Sequence, residues 1–344
     1  MTQSQAHTPP PQDPGHHLQT LFKAGEFGAA LRYFQEDASP HTRTPEAVLL
    51  AATAAARVGE YDLGWNLAVS AHDRFARAAN DRARSRALNL LGGIAFERGR
   101  LSEAEPAFHE AAHLAEQSGE AGVVAHAWNN LGMIAHLRDQ LRPATERFQR
   151  ALVAYEALGD VRGAAQTHHN LGLACRDLGG LHEADRHVEE AVRLADLSRD
   201  PPLLALTLMG RAEVAFARED LEEAGRDLEA AADLACQAGD QFGVAEGHRL
   251  RALLALRYGE LESALAHATA ARNQARELSA AVLAAECAAL GALALRALQR
   301  GREAEVLYLE AVTALREQGA LRALRRIEKE WARAAQPPED PEKI

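Results

Sequence analysis

Aromatic residues make up only 5% of the 344 positions, and isoleucine occurs four times, at Ile94, Ile134, Ile327 and Ile344. A large β-sheet needs such side chains to cover its pleated faces, so their shortage excludes one. No apolar run reaches the length of about 18 residues that a bilayer-crossing helix needs, so no membrane partner is expected. The first residues, MTQSQAHTPPPQDPGHH, lack a basic stretch followed by an apolar one, which excludes a secretory signal. Three cysteines, Cys175, Cys236 and Cys287, form no CxxC pair. They read as reduced thiols of a cytoplasmic protein, with Cys175 at a small core position. Positive charge is also short: 38 basic against 49 acidic residues give a net charge of −11. That balance excludes a non-specific nucleic-acid binder.

What is plentiful is alanine, about a fifth of the chain, and it is periodic. Ala104, Ala144, Ala184, Ala224, Ala264 and Ala304 stand 40 residues apart, as do Ala111, Ala151, Ala191, Ala231, Ala271 and Ala311. A bulkier column follows the first: Phe108, Phe148, Val188, Leu228, Ala268 and Tyr308. Leucines at 101, 141, 181, 221 and 261 open the same segment, and Gly119, Gly159, Arg199, Gly239, Ser279 and Gly319 close it. A fixed period of this length marks a repeat architecture.

One copy shows the physics. Residues 123–137 place Ala127, Leu131, Ile134 and Ala135 at helical spacing, and Asp139-Gln140 is a short break. Residues 141–158 form a second helix with Leu141, Ala144, Phe148, Ala151 and Leu152 inward. Pro143 fits only near its start, and Gly159 supplies the positive φ that ends it. Each copy is a helical hairpin. The alanine columns mark where two backbones approach closely, and the larger residue four positions on fills the space beside that contact. One hairpin cannot bury its own stripe, so successive hairpins stack.

The predicted organisation is all-α: a disordered arm over 1–16, stacked pairs over 17–319, a capping helix over 320–335 and a flexible tail over 336–344. Leu321, Leu324, Ile327 and Trp331 form the apolar face of the capping helix, with Arg322, Arg325, Arg326, Glu330 and Arg333 elsewhere. The pairs over 17–319 are read as one continuous domain, and the C-terminal repeats, 283–335, as a candidate surface for a homodimer.

The residues Leu91-Gly92, Leu131-Gly132 and Leu171-Gly172, followed by Ala and then Ala-x3-Phe-x2-Ala, resemble the tetratricopeptide repeat. The usual period is 34 residues and here it is 40, which is similar to kinesin light chain, LGN/Pins and bacterial Rap-type proteins. The resemblance implies a right-handed superhelical solenoid of antiparallel helix pairs, bacterial by its Rap-type likeness. Its first helices would line a concave groove for a protein or peptide segment. It also implies that Asn130 and Asn170 clamp a partner's main chain, since an amide side chain offers both donor and acceptor. The equivalent Leu90, Gly210, Leu250 and Leu290 cannot, so the ladder has two rungs. Hydrogen bonding between neighbouring helices is the other reading of the same asparagines.

Further positions expected on the groove are Arg86, Asn89, Glu97, His126, Asn129, Met133, His136, Gln166, His169, Leu173, Arg176, Arg249 and Arg257. This surface is neutral to basic, which favours an acidic or mixed partner. His126, His136 and His169 would make binding sensitive to pH near neutrality. Catalytic residues, metal ligands and cofactors are not expected. His109 and His113 lack a third ligand, Glu222-Glu223 reads as solvated surface, and no phosphate loop or nucleophile elbow occurs. The function read from the sequence is a non-catalytic interaction scaffold, with a receptor for a small signalling peptide as the alternative.

Overall fold

A computed structural model describes residues 14–37 and 39–334. Residues 1–13 of the expected arm and 336–344 of the expected tail lie outside the described residues, while residues 14–16 begin a helix. Among the described residues there are seventeen α-helices, one 3-10 turn and no strand. They follow one another as pairs: α1 (Pro14–Lys23) and α2 (Phe27–Glu36), α3 (Pro45–Arg57) and α4 (Tyr61–Arg77), α5 (Asp81–Glu97) and α6 (Leu101–Ser118), α7 (Ala121–Leu137) and α8 (Leu141–Leu158). Then come α9 (Val161–Asp177) and α10 (Leu181–Ser198), α11 (Pro201–Ala217) and α12 (Leu221–Ala238), α13 (Gln241–Tyr258) and α14 (Leu261–Glu277), α15 (Ala281–Ala297) and α16 (Gly301–Glu317), with a single last helix, α17 (Leu321–Ala334). The chain forms two compact units, residues 1–127 and 128–344, which divide within α7.

Helix starts and stops follow from local chemistry. The side chains of Asp160, Asp200, Asp220 and Asp240 each accept from the backbone N–H three residues on, capping α9, α11, α12 and α13. Pro201 and Pro202 occupy the first turn of α11, where a missing N–H costs nothing. Position 159 and its equivalents all turn left-handed, including the two that are not glycine, Arg199 (φ 53°) and Ser279 (φ 58°). The repeat imposes the turn; glycine only makes it easy.

All twelve alanines of the two columns are fully buried, at 0% exposure. They permit the close approach of paired helices, and the first helix supplies a second small surface. A Cβ built on Gly132 of α7 would lie 2.5 Å from the Phe148 ring of α8. One on Gly92 of α5 would lie 2.7 Å from Phe108 of α6. Where the repeat carries Leu228 instead of Phe, the matching position holds Ala212, so volume is traded across the hairpin. First helices also touch one another: α1 to α3 to α5 in the first unit, and α9 through α11, α13 and α15 to α17 in the second. Each unit therefore has a wall made of first helices.

Gly132→Ala should destabilise the second unit by about 1–3 kcal/mol through overpacking, and adding Phe148→Leu should recover a large part of that loss by recreating the Ala212–Leu228 pair. Denaturant unfolding of the two variants checks both; equal stability of Gly132→Ala and wild type would remove the close crossing.

Candidate functional site

The first-helix wall of the second unit carries charge where a core would carry carbon. Arg176, near the end of α9, is 9% exposed and pairs with Asp177 at 2.8 Å and Glu213 of α11 at 2.5 Å. Arg249 of α13 is 5% exposed, reaches Glu213 at 2.9 Å, bonds Glu246 one turn before it, and lies 3.9 Å from Glu286 of α15. The Glu246–Arg249 pair meets because residues three apart share a helix face. His136 Nε2, at the end of α7, donates to Asp177 Oδ2 at 2.8 Å.

α17 lies across this wall. Arg322 pairs with Asp177 at 2.7 Å, Arg326 with Glu286 at 2.5 Å, and Arg325 with Asp139 in the turn after α7. One helix thus reaches groups set 40 to 186 residues earlier in the chain. Its apolar side is buried through Ala323, Leu324 and Ile327. Trp331 stacks on Tyr308 (4.4 Å, 7° between planes) and sits under the Arg296 guanidinium, 4.4 Å from its ring. Leu321, expected on that face, is exposed. A cavity of about 190 Å³ remains between helix and wall, lined by Arg176, Asp177, Glu213, Arg249, Glu286 and Arg326 among others.

Burial pushes every carboxylate here upward, and the guanidiniums decide the outcome. Arg176 and Arg249 hold Glu213 far below the ordinary carboxylate range. The His136 hydrogen bond, then Arg176 and Arg322, do the same for Asp177. Arg326 and Arg249 keep Glu286 low. Glu246 is left raised by its burial despite Arg249. Apart from Glu246, the wall is an array of mutually paired groups whose neighbours favour the charged forms. The Cys175 thiol is pushed up to about 11 by burial, then by Glu183, and burial raises Cys287 further, so neither is an activated nucleophile.

The positions expected on the groove do not share one environment. Arg176, Arg249 and His136 join the charged array just described. Asn129 is buried and accepts from Asn170 Nδ2 at 3.1 Å, so these amides bond across α7 and α9; Asn130 is half-buried beside them. Met133 and Leu173 are half-buried, Gln166 and Arg257 exposed. His169 is a buried side chain whose Nδ1 finds no hydrogen-bond partner and sits where a Cβ on Gly210 would be 2.3 Å away. In the first unit, Arg86 pairs with Glu120 at 2.5 Å, as Arg82 also does. Asn89 is half-buried, and Glu97 and His126 are exposed. Sequence reasoning did not single out Asp177, Glu213, Glu246 and Glu286. The signal for them was there: Arg322, Arg325 and Arg326, one turn apart beside an apolar face, need carboxylates opposite.

Residues 123–196 match the tetratricopeptide repeat family. No curated protein matches the sequence. Among solved structures, the apo form of RapI is similar with a TM-score of 0.65 at 13% identity, covering 83% of this chain and 99% of that one. A Rap protein complexed with Competence and Sporulation Factor gives 0.63 at 13% identity, over 93% and 98%. Aspartyl phosphate phosphatase F from Bacillus subtilis gives 0.54 at 12%, over 98% and 97%. Residues 123–196 are thus a tetratricopeptide-repeat segment, and the chain shares the all-helical solenoid fold of these structures. Among the described residues no helix is long and apolar enough to cross a membrane.

Burial lowers His169 to about 4 and also lowers His136, His168 and His187. The unfolded chain takes up these protons near the ordinary histidine value of about 6.5, and the folded chain does not. Stability should therefore be full above that value and fall as pH drops toward 4, by up to about 1.4 kcal/mol per pH unit from His169, with the other three acting in the same direction. Replacing His169 with Met, the residue at the equivalent position 209, should flatten the slope; urea midpoints between pH 7.5 and about 5 test this, and an unchanged slope would contradict a neutral buried ring.

Proposed function

We propose that the protein is a non-catalytic scaffold that receives a protein or peptide segment on the first-helix wall of its second unit. The observation that supports this reading is α17, a helical segment already held on that wall by its arginines. Without α17, the carboxylates of Asp177, Glu213 and Glu286, with Glu246 beside them, face two guanidiniums (Arg176, Arg249), an excess of negative charge that Arg322 and Arg326 offset. Arg176 and Arg249, two of the inward arginines that favoured an acidic partner, are engaged by these carboxylates. An amphipathic helix with arginines three and four residues apart suits the wall better, and it would compete with α17. In this reading Asn129 and Asn170 order the wall, and the Asn130 amide is the one offered to a partner's main chain. A homodimer through the C-terminal repeats would use Val306 and Leu309, exposed on α16.

A second reading, a receptor for a small signalling peptide, is favoured by the similar Rap structure complexed with Competence and Sporulation Factor. There, the peptide would change the shape of the superhelix in addition to displacing α17, which both readings share. Both readings are tested with a labelled peptide carrying the α17 sequence. Full-length protein with Arg322→Glu and Arg326→Glu, whose own helix is repelled, should bind it at least about tenfold more tightly than wild type, one such factor being about 1.4 kcal/mol. A peptide with the arginines replaced by Glu should not bind. A variant of native helix content that ignores the α17 peptide would overturn the proposal. Small-angle scattering separates the readings, since only the receptor changes its radius on saturation.

A further inference from the structure

The hairpin α9/α10 holds a second cluster. Cys175 of α9 and Glu183 and His187 of α10 place one sulfur, one oxygen and one nitrogen within 4.8 Å of one another. Cys175 is buried, His187 half-buried and Glu183 exposed, so the group opens to solvent from one side. Donors on one tetrahedral zinc ion stand roughly 3.3–3.8 Å apart, so closing the three onto an ion takes about 1 Å of side-chain movement.

The repeat shows that two of these residues, Cys175 and His187, are not scaffold requirements, whereas Glu183 matches Glu103, Glu223 and Glu303. The positions equivalent to Cys175 are Ala95, Ala135, Ala215, Ala255 and Leu295; those equivalent to His187 are Ala107, Arg147, Asp227, His267 and Leu307. Packing at the first site is satisfied by a methyl group, and the second tolerates almost any side chain. Two departures from the repeat meet in one copy, beside a glutamate. A third joins them: His168, where other copies have Leu88, Trp128, Leu208 and Ala288, lies with its Nδ1 2.9 Å from His187 Nδ1. The second ring nitrogen of a histidine ligand is commonly fixed by a hydrogen bond, and His168 can serve that role here. The chain contains an internal control. His248 and His267 repeat the imidazole pair at 3.1 Å, but there the other two positions are Ala255 and Ser263.

We propose that Cys175, Glu183 and His187 bind one transition-metal ion of the zinc class, with His168 positioning the His187 ring. Thiolate and imidazole select against calcium and magnesium, which prefer oxygen alone. The thiol releases its proton to solvent on binding, and thiolate and carboxylate together balance the dication. The fourth position of the ion faces solvent. Because Cys175 immediately precedes Arg176 and Asp177, the ion would pin the end of α9 that holds Arg322 of α17.

The test uses full-length protein stripped with a chelator and carrying Cys236→Ser, which removes the exposed thiol. Titration with Co2+ alone should give one equivalent per chain with a thiolate-to-cobalt charge-transfer band, displaced by Zn2+. Cys175→Ala and His187→Ala, both residues the repeat uses elsewhere, should keep native helix content, abolish the band and weaken binding at least tenfold. His168→Leu should weaken it tenfold or more with the band retained, and His267→Ala should change nothing. A spectrum without the sulfur band, or equal Co2+ affinity in Cys175→Ala, overturns the proposal.

Discussion

The close approach of two helix backbones inside each hairpin is the constraint on which the remaining structure rests. It is met by twelve fully buried alanines, with glycine or alanine on the first helix facing a larger residue on the second. A crossing this tight leaves little apolar area per hairpin, so stability has to come from neighbours, and the chain stacks its copies. The same economy frees the exposed side of the first helices. Positions there are not needed for the crossing and can carry asparagine, histidine, arginine or glutamate.

In the second unit that freedom is used for an array of paired charges. Buried ion pairs add little net stability compared with apolar packing, because desolvation offsets attraction. What they provide is discrimination. A group laid on this wall must bring guanidiniums to Asp177 and Glu286 or bury a wall with more carboxylate than guanidinium charge, which is costly in a desolvated setting. α17 meets that demand. Arg322 meets it imperfectly, with its Nε buried and unpaired and its guanidinium pulled below the usual range by burial. A helix held this way is specified by charge and still open to competition from a segment of the same chemistry.

Much of the fold was legible before any coordinates. The period, the alanine columns and the left-handed stops locate the helices to within a few residues, as with α8 at Leu141–Leu158, because each depends on local spacing. The site was less legible. The repeat says which helices are neighbours, but not which carboxylate an arginine chooses 37 or 145 residues away. Arg176 and Arg249 were recognised as inward-facing, while their partners were not. Asn129 and Asn130 show the scale of the difficulty: one residue is a rotation of about 100° on a helix, enough to decide which amide is buried against Asn170. His187 offered no local signal, since it becomes notable only once α10 brings it to Cys175.

Hydrogen exchange of the α17 amides in the full-length chain tests the central claim most directly. If the charged wall clasps this helix, residues 321–334 should exchange as slowly as α15, against which they pack, and should speed up markedly when Asp177 and Glu286 are both neutralised to amides. Exchange of 321–334 at the rate of an unstructured peptide in the unaltered protein would contradict it.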